Sequence, residues 1–384
     1  MTTAPVKGTF FQRYLLPAFA LKGVIIGGGY ATGRELTEYF LSHGPWGAIY
    51  GMAIATVIWS AVAAVTFALA RQFGAFDYRS FMARLLGPGW AVFEICFLAF
   101  SVLLLAVFGA AAGEVAASIL PVRPIAGTLL LAIAIAAIAS MGEGAVEAMF
   151  KYVSILLYAV YFLLIVLSLA NFGDEIAAGL DRGGPNGDGI EDGWVLGGLT
   201  YGAYNIVTAV MVLPLLRHLN SRRNAVVAGL VAGPLAMLPG FVFLLAMIAF
   251  YPAILDQTLP SDMLLRAIDV PGFRIVFQLM VFGALLESSV GVVHAINERA
   301  VHGWQTRRKQ PPPRWLRPAL TVGLLSVCMF IADRIGLVAL IASGYRVVAI
   351  VFCITFVVPV LTWGVWRLLR GPDLELTGGP PDNA

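Results

Sequence analysis

Few side chains in this sequence can do chemistry, and those that can stand in unusual places. Lys22 precedes three consecutive glycines in the apolar stretch "KGVIIGGGYATGRELTEYF" (22–40), and Arg34, Glu35 and Glu38 follow them. Glu287, Ser288 and Ser289 sit together in a second apolar stretch, "LLESSVGVVHAIN" (285–297). An ionisable group inside hydrocarbon is costly and marks an ion, proton or solute pathway. The chemistry on offer is binding and proton exchange, not covalent catalysis. The four histidines are scattered without metal-ligand spacing, and the three cysteines (Cys96, Cys328, Cys353) lie singly in apolar runs. No Cys–His or Ser–His–Asp constellation and no Walker-type phosphate loop occurs. The chain is expected to be no enzyme, to use no ATP directly, and to need no cofactor or metal.

The glycines suggest how a site could be built. A glycine inside a helix costs about 1 kcal/mol relative to alanine. Gly27, Gly28 and Gly29, with Gly33 soon after, make this the natural place for a helix to unwind. Unwound backbone in hydrocarbon leaves amides and carbonyls unpaired, which is tolerated only beside protein or a polar cavity. A half-helix starting near Thr32 or Gly33 would aim its positive end at an anionic group, and one ending near Ile26 would aim carbonyls at a cation. The competing reading is that small residues let two membrane helices pack closely.

The elements that must position these residues follow from composition. The chain is 59% hydrophobic and 12% charged, against about 25% charge in soluble domains. Ten apolar segments recur, near 10–40, 45–71, 89–118, 122–140, 145–171, 194–216, 224–251, 273–300, 316–333 and 345–369. Most approach or exceed the roughly 20 residues that cross a bilayer. An all-α polytopic membrane protein is expected, with amphipathic stretches at 76–86 and 253–269. There is no signal-peptide pattern and no basic face for nucleic acid. Lys and Arg concentrate in alternate connections, notably "RAVHGWQTRRKQPPPRWLR" (299–317), while "GDEIAAGLDRGGPNGDGIEDG" (173–193) lies on the opposite side. Positive-inside bias then places both termini in the cytoplasm.

The glycine-rich 183–189 connection separates five spans from five. With an odd number in each half, the halves (about 10–171 and 194–369) enter from opposite sides, as an inverted repeat requires. The sixth span carries an anomaly like that of the first, Gly197-Gly198-Leu199-Thr200-Tyr201-Gly202-Ala203-Tyr204-Asn205. Paired interruptions at corresponding positions point to a transporter binding site. The tail at 371–384 is expected to be a disordered cytoplasmic segment.

"GGGYATGRE" (27–35), "TYGAYNIVTAVMVLPLL" (200–216) and "GLVALIASGYRVVAIVFCITFVVPVLTWGV" (336–365) resemble the YkvI-type bacterial membrane proteins of the amino acid–polyamine–organocation superfamily. The resemblance covers nearly the whole chain. It implies the LeuT fold: two inverted five-helix halves, broken first and sixth helices, and a substrate site between them. The Asp-Pro-Gly and Met-Pro-His motifs of the metal-transporter branch are absent, as is the Asn-rich first-span signature of neurotransmitter:sodium symporters. The resemblance therefore speaks to fold and transport class, not to a substrate.

These readings give each residue an expected place. Gly27, Gly28, Gly29, Tyr30, Thr32 and Gly33 of span one, with Thr200, Tyr201, Tyr204 and Asn205 of span six, are expected to bind a small polar organic solute such as an amino acid or related zwitterion. Thr208 would add a polar contact. In sodium-coupled members of the fold a hydroxyl pair in span eight helps hold a cation, a role that Ser288 and Ser289 match. Lys22 and Glu287 are expected to approach each other there and to couple transport to H+ or Na+. Arg34 and Glu38, at i,i+4 spacing, can pair on one helix face; with Glu35 and Arg346 they are expected to form an outer gate. Asn297 and His294 are expected to hydrogen-bond across helices, and Glu94, Glu114, Glu143 and Glu147 are given no role. The expected function is secondary active transport across the cell (inner) membrane. The alternative is a ligand-binding receptor of the same fold without net transport.

Overall fold

The computed structural model describes residues 14–25, 27–141, 143–181, 190–219, 221–313 and 315–370. The 183–189 connection and the 371–384 tail lie outside the described residues, as do the side chains of Glu143 and Glu147.

The expected spans appear as helices in order. The first is divided into α1 (Leu16–Ile25), α2 (Gly28–Thr32) and α3 (Arg34–Tyr39). There follow α4 (Pro45–Phe73), the short α5 (Tyr78–Leu86), α6 (Trp90–Ile119), α7 (Pro124–Met141) and α8 (Glu143–Asp181). The second half comprises α9 (Trp194–Ile206), α10 (Ala209–Val212), α11 (Arg222–Ile248), the short α12 (Pro260–Ile268), α13 (Pro271–Arg308), α14 (Leu316–Ile335) and a tenth span over Leu337–Arg370. Eight described runs are long and apolar enough to cross a membrane, and Leu16–Ile25 and Pro124–Ile138 are shorter apolar helices. Well-exposed Ile95, Phe162 and Ile354 give the outer surface the apolar character that lipid requires.

Local chemistry sets several boundaries. Pro45 opens α4, where its missing N–H is no loss, and Gly74 closes it in the left-handed region with its N–H bonded to Ala70 and Arg71 carbonyls. Asp77 caps α5 by accepting from the Ser80 amide at 2.9 Å, and Ser221 caps α11 by accepting from Asn224 at 3.1 Å. The expected amphipathic stretches become α5 and α12. One boundary differs from the sequence reading: α8 does not stop at 171 but kinks at Phe172 (φ −132°, ψ 21°) and continues as helix to Asp181.

Small residues draw the spans together. A Cβ on Gly229 would meet the backbone of Ala63 and Ala64, and one on Gly233 would meet Thr56 and Ser60, so α11 lies directly on α4. Asn297 donates to the Thr321 hydroxyl at 2.9 Å and ties α13 to α14, the cross-helix bond expected of it. His294 is exposed.

Candidate functional site

The glycine run breaks the first span as its composition predicts. Helix α1 ends at Ile25, Gly27 is extended (φ −106°, ψ −169°), and α2 lasts only five residues. Gly33 then takes φ +79°, a conformation that disfavours any side chain, and α3 departs in a new direction. Thr32 serves this corner: its hydroxyl donates to the Gly29 carbonyl at 3.0 Å and accepts from the Arg34 amide at 3.4 Å.

The sixth span is broken too, but not at its glycines. Residues 197–205 are helical within α9, and the regular ladder fails at Val207–Thr208. There the amides of Thr208, Val210 and Met211 bond only three residues back. The glycines do the packing work instead. Gly197 lies against the Tyr39 carbonyl, Gly198 against the Gly51 backbone and Gly202 against Ile58. Bulk at any of them would push α9 off α3 and α4.

The two breaks face one internal cavity of about 230 Å³. Gly23, Ile25, Gly27 and Glu35 line it from the first span, and Tyr204, Asn205, Thr208 and Met211 from the sixth. Helix α6 contributes Phe97, Phe100, Ser101 and Phe108. Helix α13 contributes Glu287, Ser288, Gly291 and Ile296 down to Arg299, so the cavity follows α13 from the breaks toward the basic 299–317 connection.

Glu35 is the most consequential residue in the cavity. It is 5% exposed, and its Oε2 accepts from the Tyr204 hydroxyl at 2.8 Å. Its carboxyl folds back over Gly29 and fills the space that a Cβ there would need. Arg34, the adjacent residue, points elsewhere. It pairs with Glu38 at 2.7 Å, as their spacing predicts, and donates to the Leu255 and Gln257 carbonyls at 3.0 Å each. Arg34 and Glu38 thus clamp α3 to the connection after α11, while Glu35 belongs to the cavity rather than to that clamp.

Above the cavity, on the side of the acidic connections, aromatic side chains close together. The Tyr204 and Tyr345 rings lie 4.6 Å apart, tilted by 36°, and Tyr39 lies 5.7 Å from Tyr204 and 6.1 Å from Tyr201. Tyr39 also donates to the Ile341 carbonyl at 2.5 Å, fastening α3 to the tenth span. Arg346, expected to pair with a glutamate here, is exposed and forms no ion pair among the described residues.

Other expected residues are placed differently. Tyr30 turns away from the cavity onto Gly240 of α11, its hydroxyl 3.5 Å from the Ala236 carbonyl. Tyr201 packs between Phe40 (4.7 Å) and Trp59 (5.5 Å), and Thr200, also buried, is outside the cavity lining. Gly28 begins α2. Lys22 and Glu287 do not pair. The Lys22 ammonium sits over the Tyr158 ring of α8, 3.1 Å from its centroid, whereas Glu287 lines the cavity with no hydrogen bond or ion pair among the described residues. The serine pair also divides: Ser288 lines the cavity, and Ser289 is buried with its hydroxyl unpartnered. Ser289 lies a further ~100° round α13 from Ser288, outside the cavity lining.

Sequence reasoning missed the far end of the cavity. Arg299 lies over the rings of Tyr78 (4.3 Å) and Phe97 (4.8 Å) and approaches Glu94 at 3.8 Å; Tyr78 in turn hydrogen-bonds Glu94. This cluster joins α5, α6 and α13. Its only sequence signal is a charge near the end of each long span.

No protein-family model and no curated protein matches the chain. Solved structures do. MhsT, in its crystal structure with L-phenylalanine, is 16% identical, aligned over 96% of this chain and 98% of that one, with a TM-score of 0.57. A Na+-coupled sialic acid symporter, in a substrate-bound outward-open state, is 13% identical over 96% of this chain and 100% of that one, with a TM-score of 0.54. Likeness at such identity speaks to architecture: the chain is a multi-pass, all-α membrane protein with the LeuT fold of these transporters.

Proposed function

We propose that the protein is a secondary active transporter that moves a small polar organic solute across the cell (inner) membrane by alternating access. The observation that carries this is the buried cavity onto which both broken spans open. Broken helices in two halves of opposite orientation are a recurring way to build a transport site at mid-membrane. The halves at about 10–171 and 194–369 form the inverted repeat, both termini are cytoplasmic, and the chain is a YkvI-type member of its superfamily. With that orientation the cavity runs toward the cytoplasm and the Tyr39–Tyr204–Tyr345 cluster seals the outer side, an inward-facing arrangement.

Gly27, Glu35, Tyr204, Asn205 and Thr208 contact the solute. Gly28, Gly29, Thr32 and Gly33 shape the break, while Tyr30, Thr200 and Tyr201 support it from behind. Glu287 and Ser288 face Gly23 across the cavity and serve the coupling ion, H+ or Na+, with Lys22 and Ser289 acting from behind them. Arg34, Glu38 and Arg346 belong to the outer gate. MhsT, solved with L-phenylalanine, supports a solute of amino-acid character, and the Na+-coupled sialic acid symporter supports a sodium gradient as one driving force.

The test begins with thermal stability of the purified protein across amino acids and related metabolites, because a ligand that binds the folded state raises its melting temperature. A stabilising solute is then followed by counterflow in liposomes. Exchange of labelled for unlabelled solute supports a transporter. Stabilisation without exchange contradicts transport and favours a receptor.

A further inference from the structure

Resting on the transport reading, we propose that the solute carries an ammonium group and that Glu35 is its counter-ion. Four observations converge. First, Glu35 is a buried carboxylate in the cavity wall with one hydrogen-bond donor, Tyr204, and no Lys or Arg paired to it among the described residues. Its neighbour Arg34 turns both terminal nitrogens away from it, to Glu38 and two carbonyls. A buried charge of this kind calls for a partner, and the cavity is where one can enter.

Second, the break does not offer the anion seat that its glycines suggest. Helix α2 has only five residues, and the Glu35 carboxyl already lies on Gly29. A solute carboxylate arriving there would meet another carboxylate. Third, a second carboxyl, Glu287, lines the same cavity unpaired, and the one basic residue in the lining, Arg299, is held at the far end by Glu94, Tyr78 and Phe97. The field inside is therefore cation-attracting.

Fourth, most of the rest of the wall is aromatic and aliphatic, with Ser101, Asn205, Thr208 and Ser288 as its neutral polar groups. Tyr204, Phe97, Phe100 and Phe108 present ring surface to a cation and to an apolar tail. An organic ammonium satisfies a carboxylate, a phenol and aromatic faces together.

The test uses the purified full chain and matched probes: L-phenylalanine, 2-phenylethylamine, which lacks the carboxylate, and 3-phenylpropionate, which lacks the amine. The set is repeated on alanine and leucine skeletons, with NaCl alone as the metal-cation arm. Ligands that raise the melting temperature should all carry the amine. Glu35→Gln should weaken their binding about tenfold to a hundredfold, the worth of one charge-assisted hydrogen bond. If Glu35→Gln does not fold, Glu35→Asp keeps the charge but retracts it, and should retain amine selectivity at reduced affinity. Equal binding of the amine-free acids, or unchanged amine affinity in the folded variant, overturns the assignment and leaves transport standing. Stabilisation by NaCl that Glu35→Gln abolishes, with no amine response, gives the carboxylate to a metal cation and also overturns it. Amine binding without counterflow contradicts transport while leaving Glu35 assigned.

Discussion

The Tyr204 hydroxyl donates to Glu35 at 2.8 Å, joining residues 169 positions apart across the two broken spans. This bond fixes where the Glu35 carboxylate lies and couples the sixth span to the first. Removing the donor leaves one carboxylate oxygen without its partner in a buried setting. Tyr204→Phe is expected to lower stability by about 1–3 kcal/mol, read by denaturation in detergent. It should also weaken any ligand held by Glu35. An unchanged melting temperature would show that the bond is not maintained.

Gly29 tests the placement of that carboxyl from the other side. A methyl at 29 would displace the Glu35 carboxyl, which can swing because it ends a flexible side chain. Gly29→Ala should therefore impair ligand binding more than it impairs folding. Gly323→Ala is the control, since a Cβ there meets nothing within 4 Å and Gly323 lies outside the cavity lining. Equal binding by both variants would contradict the geometry.

Gly33 carries a backbone demand instead. At φ +79° an alanine is strained, and its Cβ would press on Phe243 and Met247. Gly33→Ala should lose at least about 1–2 kcal/mol, seen as a lowered melting temperature with or without ligand.

How much of this was legible in sequence depends on whether a pattern has one physical reading or two. Hydropathy alone set out the spans, because crossing a bilayer demands apolar length and little else satisfies it. The Arg34–Glu38 pair was legible because i,i+4 spacing fixes a shared face. Glu35, one residue along, faces elsewhere, and the turn at Gly33 decides where; no sequence period reports that. Gly27–Gly29 and Gly197–Gly202 look alike in sequence, yet the first run breaks a helix and the second packs one against α3 and α4. Only the neighbours distinguish these outcomes. Tyr30 beside the break was expected in the cavity, but the extended Gly27 sends it to α11. The Arg299–Glu94–Tyr78 cluster brings α13 against α5 and α6, which lie far earlier in the chain, and has no local signature.

Lys22 offers a further test. Its ammonium is held by the face of Tyr158 rather than by Glu287. Tyr158→Phe keeps the ring and should behave as the parent protein. Tyr158→Leu removes it and should cost about 0.5–2 kcal/mol, measured as a double-mutant cycle with Lys22→Met. A zero coupling energy would remove this contact from the account.

The mouth of the cavity at Arg299 is closed in part by that side chain lying over Tyr78 and Phe97. Glu94→Gln removes the charge that Arg299 approaches at 3.8 Å. A cysteine placed at Ala295, which lines the cavity, should then be labelled faster by a water-soluble thiol reagent. An unchanged labelling rate would show that Glu94 does not restrain the mouth.

The central claim is that the cavity between the broken spans is a transport site, and solute accumulation in liposomes tests it most directly. With a stabilising amine-bearing solute outside and a proton or sodium gradient imposed, the protein is expected to concentrate that solute above its external level, and Glu35→Gln to abolish the accumulation. Solute that binds the purified protein but never accumulates, under either gradient and in either direction, would contradict the account.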